Sequence, residues 1–403
     1  MALPQENLQP ESRPESRPES RPESRPESRP LIKVWDLPVR LFHWGLVAAV
    51  FIGFLTGYVA PEWWMGLHLW AGYAVIFLIA FRLVWGFFGT EYSRITSFVY
   101  SPGETLAYVK GLFMLRPRHT IGHNPAGALM IFALAALLFA LVLTGLMAAG
   151  GEEGQGPLAG LVNFALGDAA KGLHAVLALV LIGLVAFHVA GVLAESRLAR
   201  DNLTKAMITG EKSLAQGQTP PIATRRARPA IAAALMAGMV FLAALSIMAA
   251  GTLPVRGMYA LVPEPAYAKE CGACHEAFHP SLMPEASWRS VMATLDDHFG
   301  EDASLKPDLA LRIEGWLAAN ASERWDTEAA NRLRLPDPAE PRRMTATGYW
   351  KRKHRAIEPA VFAAKPVGGK ANCQACHSDS ASGRFDDQAI KLPSLPSIKE
   401  SRS

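Results

Sequence analysis

Two pentapeptides, Cys271-Gly272-Ala273-Cys274-His275 and Cys373-Gln374-Ala375-Cys376-His377, use all four cysteines of the chain. Paired thiols two residues apart, followed at once by His, form the c-type haem attachment pattern. Both thiols add to the haem vinyl groups, so Cys271, Cys274, Cys373 and Cys376 are read as the covalent anchors of two c haems. The adjacent His275 and His377 must then face the irons. A zinc site built from the four thiolates would not need a His directly after each pair. A disulfide framework does not suit the end of a long hydrophobic chain. Covalent haem attachment is carried out outside the bacterial cytoplasm, so the C-terminal region is expected to be exported.

Half of the 403 residues are apolar, and they are concentrated before residue 251. Five apolar runs, about Leu41–Ala60, Leu67–Phe88, Ala126–Ala149, Gly172–Ala194 and Ala230–Ala250, each approach the ~20 residues that span a bilayer. Loop charges orient them. The 58–66 connection has no Lys or Arg, and 150–171 sets Glu152, Glu153 and Asp168 against Lys171. The 89–125 and 195–229 loops are basic, with Arg94, Lys110, Arg116 and Arg118 in one and Arg197, Arg200, Lys205, Lys212, Arg225, Arg226 and Arg228 in the other. Basic loops stay cytoplasmic. The N-terminus is therefore expected inside and the C-terminal domain in the periplasm, anchored in the bacterial inner membrane.

Intramembrane histidines are costly and are functional candidates by default. His174 and His188 are 14 residues apart on the fourth span, which returns them to one face at a separation of roughly 21 Å. Small residues nearby, including Ala178, Gly183 and Gly191, leave room for a flat macrocycle. The charge-derived topology puts His43 at the inner surface and His68 at the outer. The depth pairs are then His68 with His174 and His43 with His188, two bis-His haem b sites inside a helix bundle. A metal-transport pathway would need carboxylates in the spans, and the first four runs contain none. His119 and His123 read as loop or helix-entry residues, and Arg40 and Arg82 as candidate propionate partners at the inner surface.

Outside the membrane, His279, His298 and His354 compete for two distal positions on the c haems, with Met283, Met292 and Met344 as alternatives. His279 is expected one helical turn after His275, on the proximal side of its own haem. His298 is expected to end an amphipathic helix over Trp288–Phe299. His298 and His354 are the preferred pair, and His279 is the alternative.

Two stretches resemble known families. Val34-Trp35-Asp36-Leu37-Pro38-Val39-Arg40-Leu41-Phe42-His43-Trp44, Leu67-His68 through Gly72-Tyr73, Gly122-His123-Asn124-Pro125 and the doubly His-bearing fourth span resemble the bacterial cytochrome b561 and nickel–iron hydrogenase cytochrome b family over about 31–210. Residues 265–395 resemble the dihaem cytochrome c family through Cys271–His275, Phe278-His279-Pro280-Ser281-Leu282, His298 to Leu305, Arg352-Lys353-His354 and Cys373–His377. The first resemblance implies a four-helix dihaem b protein exchanging electrons with quinone. The second implies a small bis-His electron carrier, without choosing among the three spare histidines.

The expected fold is an all-α membrane protein. A transmembrane dihaem b bundle (31–210) follows a Pro-Glu-Ser-Arg repeat tail (1–30), read as disordered. A cytoplasmic linker and fifth transmembrane helix (211–262) lead to a small, mainly helical dihaem c domain (263–403). The expected cofactors are two haem b and two covalent haem c. The expected partners are a membrane quinone or quinol, a periplasmic redox protein and the lipid bilayer. From Pro341 to Lys370 there are eight Lys or Arg and one acid, a polarity able to orient a charged redox partner. Nothing points to nucleic acid or nucleotide. The expected function is electron transfer between the quinone pool, or another membrane donor, and a periplasmic acceptor. The alternatives are a haem enzyme acting on a small oxidant such as superoxide, or the electron-transfer subunit of a larger dehydrogenase.

Overall fold

The computed structural model describes residues 30–114, 120–198, 201–214 and 225–393. The Pro-Glu-Ser-Arg repeats and His119 lie outside them. A short strand β1 (Leu31–Lys33) precedes α1 (Leu37–Tyr58) and α2 (Met65–Phe88). Then come α3 (Pro102–Phe113), α4 (Pro125–Gly151), α5 (Phe164–Leu198), α6 (Leu203–Thr209), β2 (Glu211–Ser213) and α7 (Pro229–Ala250). Strands β1 and β2 pair antiparallel, with Ile32 opposite Lys212.

Among the described residues, five helical segments are long and apolar enough to cross a membrane, namely Leu37–Tyr58, Glu62–Phe88, Pro125–Gly151, Phe164–Leu198 and Pro229–Ala250. The chain is an integral membrane protein. The first four pack chiefly as α1 on α2 and α4 on α5. Ala49, Val75, Leu138, Leu141 and Leu181 form the bundle core. Large apolar side chains such as Phe51, Phe139 and Phe187 point outward, as lipid-facing surfaces do. Helix α7 leans on α2, and most of its surface is exposed.

The helix ends are fixed by local chemistry. Asp36 caps α1 by accepting from the Val39 amide at 2.9 Å. Its other carboxylate oxygen accepts from Trp85 Nε1 (3.0 Å), Thr90 Oγ1 (2.7 Å) and Ser93 Oγ (2.6 Å). One side chain thus ties the start of α1 to the end of α2. Burial alone would raise the Asp36 carboxyl, but the bonds from Ser93, Thr90, Val39 and Trp85 hold it below its ordinary value. Asn124 caps α4, with Pro125 at the first helical position.

Beyond α7 the chain forms a compact lobe of short helices: α8 (Pro265–Glu270), α9 (Glu285–Met292), α10 (Pro307–Ala319), α11 (Glu328–Leu333), α12 (Gly348–Lys353) and α13 (Pro359–Ala363). Tyr267, Met283, Trp288, Val291, Met292, Ile313 and Leu317 make its main core. The helix expected over Trp288–Phe299 is corrected. It starts at Glu285 and stops at Met292, where Thr294 Oγ1 bonds back to Ser290 O at 3.0 Å and a single tight turn, Leu295–Asp297, follows. The helix expected between His275 and His279 is also absent. His279 is extended (φ −60°, ψ 133°) because Pro280 follows it.

Candidate functional site: four histidine pairs

His68, in the first turn of α2, and His174, on α5, face each other with ring centroids 6.0 Å apart. Their surroundings are nearly identical. His68 Nδ1 is 3.0 Å from Gly53 O and 3.0 Å from Thr56 Oγ1 on α1. His174 Nδ1 is 3.0 Å from Leu141 O and 3.2 Å from Thr144 Oγ1 on α4. Each threonine hydroxyl donates one turn back, Thr56 to Ile52 O at 2.7 Å and Thr144 to Ala140 O at 2.8 Å. It is therefore free to accept from the imidazole. A carbonyl oxygen can only accept, so both rings carry their proton on Nδ1 and leave Nε2 unprotonated, free to bind a metal.

The residue after each threonine is glycine. A Cβ on Gly57 would lie 3.2 Å from His68 Cε1, and one on Gly145 3.1 Å from His174 Cε1. The recurring triplet Leu55-Thr56-Gly57 and Leu143-Thr144-Gly145 is a part of the site that histidine spacing alone does not reveal. It was visible as an internal repeat.

Fourteen residues farther along α5 than His174, His188 is close enough to His43 on α1 for the two to interact electrostatically. His43 Nδ1 is buried without a hydrogen-bond partner. Arg82 and Arg40 both satisfy backbone carbonyls, Arg82 that of Ser93 at 3.0 Å and Arg40 that of Ile208. His123 is packed between Trp35 and Phe98 at 4.5 and 4.8 Å. Burial, with Arg82 and Lys212 beside it, pushes its pKa down to about 3.

The lobe beyond α7 holds two more pairs. His275 and His298 stack with centroids 6.1 Å apart. His298 is aimed by a tight turn in which Phe299 and Gly300 have φ of 58° and 98°, closed by a bridge to Glu301. His354 and His377 are likewise 6.1 Å apart. His354 Nδ1 bonds Trp350 O at 2.9 Å, and its ring stacks on Trp350 at 4.2 Å. His377 Nδ1 is buried without a partner. Burial lowers the pKa of His298, His354 and His377, aided at His298 by His275 and Arg342 and at His377 by His354. Neutral imidazoles are what metal ligation needs.

The spare residues fall elsewhere. His279 is buried against Trp325 (4.7 Å) and Ser281 Oγ (2.7 Å). Met283 and Met292 sit in the hydrophobic core, and Met344 packs against it. The four cysteines form no disulfide with one another, and each pair stands next to its histidine.

The spacing fits iron. A metal–imidazole bond is about 2 Å, so two imidazoles on opposite sides of one metal put their ring centres about 6 Å apart. Three of the pairs have that separation, at 6.0, 6.1 and 6.1 Å. The residues present fit bis-His haem.

Comparison with known proteins agrees with this chemistry. Residues 34–210 match the family model for prokaryotic cytochrome b561, and 267–385 that for dihaem cytochrome c. A probable Ni/Fe-hydrogenase B-type cytochrome subunit of Bradyrhizobium diazoefficiens is 27% identical over 45% of this chain and 85% of its own length. The corresponding hydrogenase 1 subunit of Escherichia coli is 28% identical over 45% of this chain and 90% of its own. The dihaem cytochrome c of Rhodobacter sphaeroides is 36% identical, covering 31% of this chain and 98% of that one, with a TM-score of 0.27. That of Shewanella baltica is 31% identical, covering 33% and 97%, also with a TM-score of 0.27. Haem b and haem c chemistry both follow, and the chain is a membrane electron-transfer protein that joins a prokaryotic cytochrome b561 domain to a dihaem cytochrome c domain.

Proposed function

We propose that the protein oxidises a membrane quinol and delivers the electrons to a periplasmic acceptor through two b and two c haems. When bound, haem supplies one-electron chemistry at iron. The chain supplies the rest. His68 with His174 and His43 with His188 are the proposed b ligands. His275 with His298 and His354 with His377 are the proposed c ligands, each c haem anchored by its cysteine pair. Gly53 O, Thr56, Leu141 O and Thr144 hold the outer imidazoles in one tautomer, as outer-shell partners of metal-bound histidine do. The basic loops support a cytoplasmic N-terminus and a periplasmic c domain in the inner membrane. We take 31–210 as the b domain, 211–262 as linker and anchor, and 263–403 as the c domain.

The observation that carries this reading is the docking of the c lobe on the His68/His174 end of the bundle. Phe164 N donates to Asp326 Oδ2 at 3.1 Å, Arg332 pairs with Asp168, and Lys353 Nζ is 3.0 Å from Glu62 Oε2. Both sets of ligands are thereby held in one unit, which a freely tethered carrier would not require. Mixing the oxidised, purified protein with a soluble quinol tests it. The b and then the c absorption bands should appear within the turnover time. Reduction of the b bands alone would refute the route.

The hydrogenase subunits among the relatives favour a second reading, in which the b domain draws electrons from a dehydrogenase partner rather than from quinol. Co-purification of a dehydrogenase from the native membrane would select it.

A further inference from the structure

The two c-type centres are not arranged in the order of their motifs. The chain leaves α7 and meets the first motif, Cys271–His275, more than a hundred residues before His377 is reached. A simple reading would put the first motif next to the membrane. The contacts put the second one there.

The segment 384–391 folds back onto the membrane domain. Arg384 Nη2 donates to Gly154 O at 3.0 Å, and the Asp387 amide approaches Glu153 Oε2 at 3.5 Å. Gln388 bonds Gln155. Gln388 also lies over Gly66, where a Cβ would stand 3.2 Å from its Oε1. Gly66 is two residues from His68. The same segment is bonded directly to the second motif. Lys391 N donates to Cys376 O at 2.7 Å, Ser378 N to Ala389 O at 3.2 Å, and His377 bridges to Ile390. Next to the distal ligand His354, Lys353 reaches Glu62 on the turn before α2. His354 is thus one residue from a contact with the segment that carries His68, and His377 is bridged to Ile390, two residues from Gln388, which makes another.

The first centre touches the second instead. Glu276, which follows His275, accepts from Ser380 Oγ at 2.7 Å and from the Gln374 amide at 3.2 Å. Gln374 lies inside the second attachment motif. Among the described residues, hydrogen bonds and ion pairs to the bundle come from Arg256, just beyond α7, and from Asp326, Arg332, Lys353 and 384–388, and none from 271–306.

We infer that electrons enter the c domain at the His354/His377 centre and leave it from the His275/His298 centre. This rests on the proposed ligand pairs and direction. One electron moves per transfer, from the His68/His174 centre, which is oxidised, to the His354/His377 centre, which is reduced, and then to His275/His298. No bond is made or broken. A quinol oxidised at the bundle supplies two electrons and releases two protons.

Two measurements on the purified full-length holoprotein test the order. Zero-length carbodiimide coupling joins a carboxylate to an amine in contact. Mass spectrometry should find Glu62 coupled to Lys353. Coupling of bundle carboxylates to Lys269 or Lys306 instead, with none to Lys353, overturns the order. The second arm uses methionine ligands, which raise a haem potential and make that centre a sink. After mixing with duroquinol, His354→Met should slow reduction of the first-motif centre at least about tenfold, the factor for a ~59 mV sink. His298→Met should leave the second-motif centre at its wild-type rate. The reverse pattern overturns the proposal. If duroquinol reduces neither c centre in the wild type, the quinol reading fails, and the coupling arm still decides the order.

Discussion

Replacing Thr56 by valine should raise the potential of one b haem and leave the other unmoved. Thr56 Oγ1 spends its proton on Ile52 O, so toward His68 Nδ1, 3.0 Å away, it is an acceptor. Gly53 O is a second acceptor at the same 3.0 Å. Acceptors at Nδ1 push electron density into the imidazole and favour ferric iron. Valine keeps the shape and removes one acceptor of two. A neutral hydrogen bond is worth about 1 kcal/mol net. If roughly half of that differs between the two iron states, the shift is about 0.5 kcal/mol, or about 20 mV upward for one electron. Thr144→Val acts on the opposite ligand, with its oxygen 3.2 Å from His174 Nδ1. The double variant should therefore reach about 40 mV on the same haem, if the two bonds add. Potentiometric titration followed in the b bands reads this directly. A downward shift, or a shift in the His43/His188 haem, would refute the assignment of these threonines to the His68/His174 centre.

Gly57→Val and Gly145→Val place methyls against rings that a lone Cβ already meets at 3.2 and 3.1 Å. Pyridine haemochrome spectra should show one b haem lost from each variant and the c haem content retained. Retention of both b haems would show that the rings have room to move. His279→Ala should keep both c centres low-spin in electron paramagnetic resonance, because His279 packs on Trp325 rather than against another histidine. A new high-spin signal would make it a ligand. Glu153 governs a pH dependence. Burial, with Asp387 and Glu328 beside it and Lys171 only partly offsetting them, pushes its carboxyl up to about 8, from an ordinary 4.5. Burial raises Asp387 too, with Glu62 and Glu328 adding to it against the nearby Lys353 and Lys171. The folded protein therefore holds a proton that the unfolded chain releases, so stability falls as pH rises from about 4.5 to 8. The slope is about 1.4 kcal/mol per pH unit for one proton. Glu153→Gln should flatten the melting temperature between pH 5 and 8, and a slope parallel to wild type would exclude Glu153 as the cause.

The attachment motifs and the five apolar runs were legible because each is a local signal. Covalent anchoring needs both thiols beside the histidine, and a span needs one unbroken apolar stretch. The apolar runs are shorter than the helices where capping carries a helix past its apolar part. Asp36 and Pro38 start α1 four residues before Leu41, and α5 begins at Phe164, well before Gly172. The nearness of His68 to His174 and of His43 to His188 was legible because the spans alternate in direction, which puts the start of the second beside the start of the fourth and the start of the first beside its far end. The threonine–glycine support was present as a repeated triplet, but it acts only across helices, where α1 meets α2 and α4 meets α5. The extended His279 was readable from the proline after it. The order of the c centres was not readable, because it depends on residues 384–391 returning to α2 and the α4–α5 loop, more than 200 residues away in sequence.

A single electron path should run from the bundle to the c lobe. Rapid mixing of the oxidised protein with a quinol, followed at the b and c bands, tests it most directly. Equal b and c haem, reduced in the order b then c at rates that support turnover, is the predicted result. Full reduction of the b haems while the c haems stay oxidised until dithionite is added would contradict it.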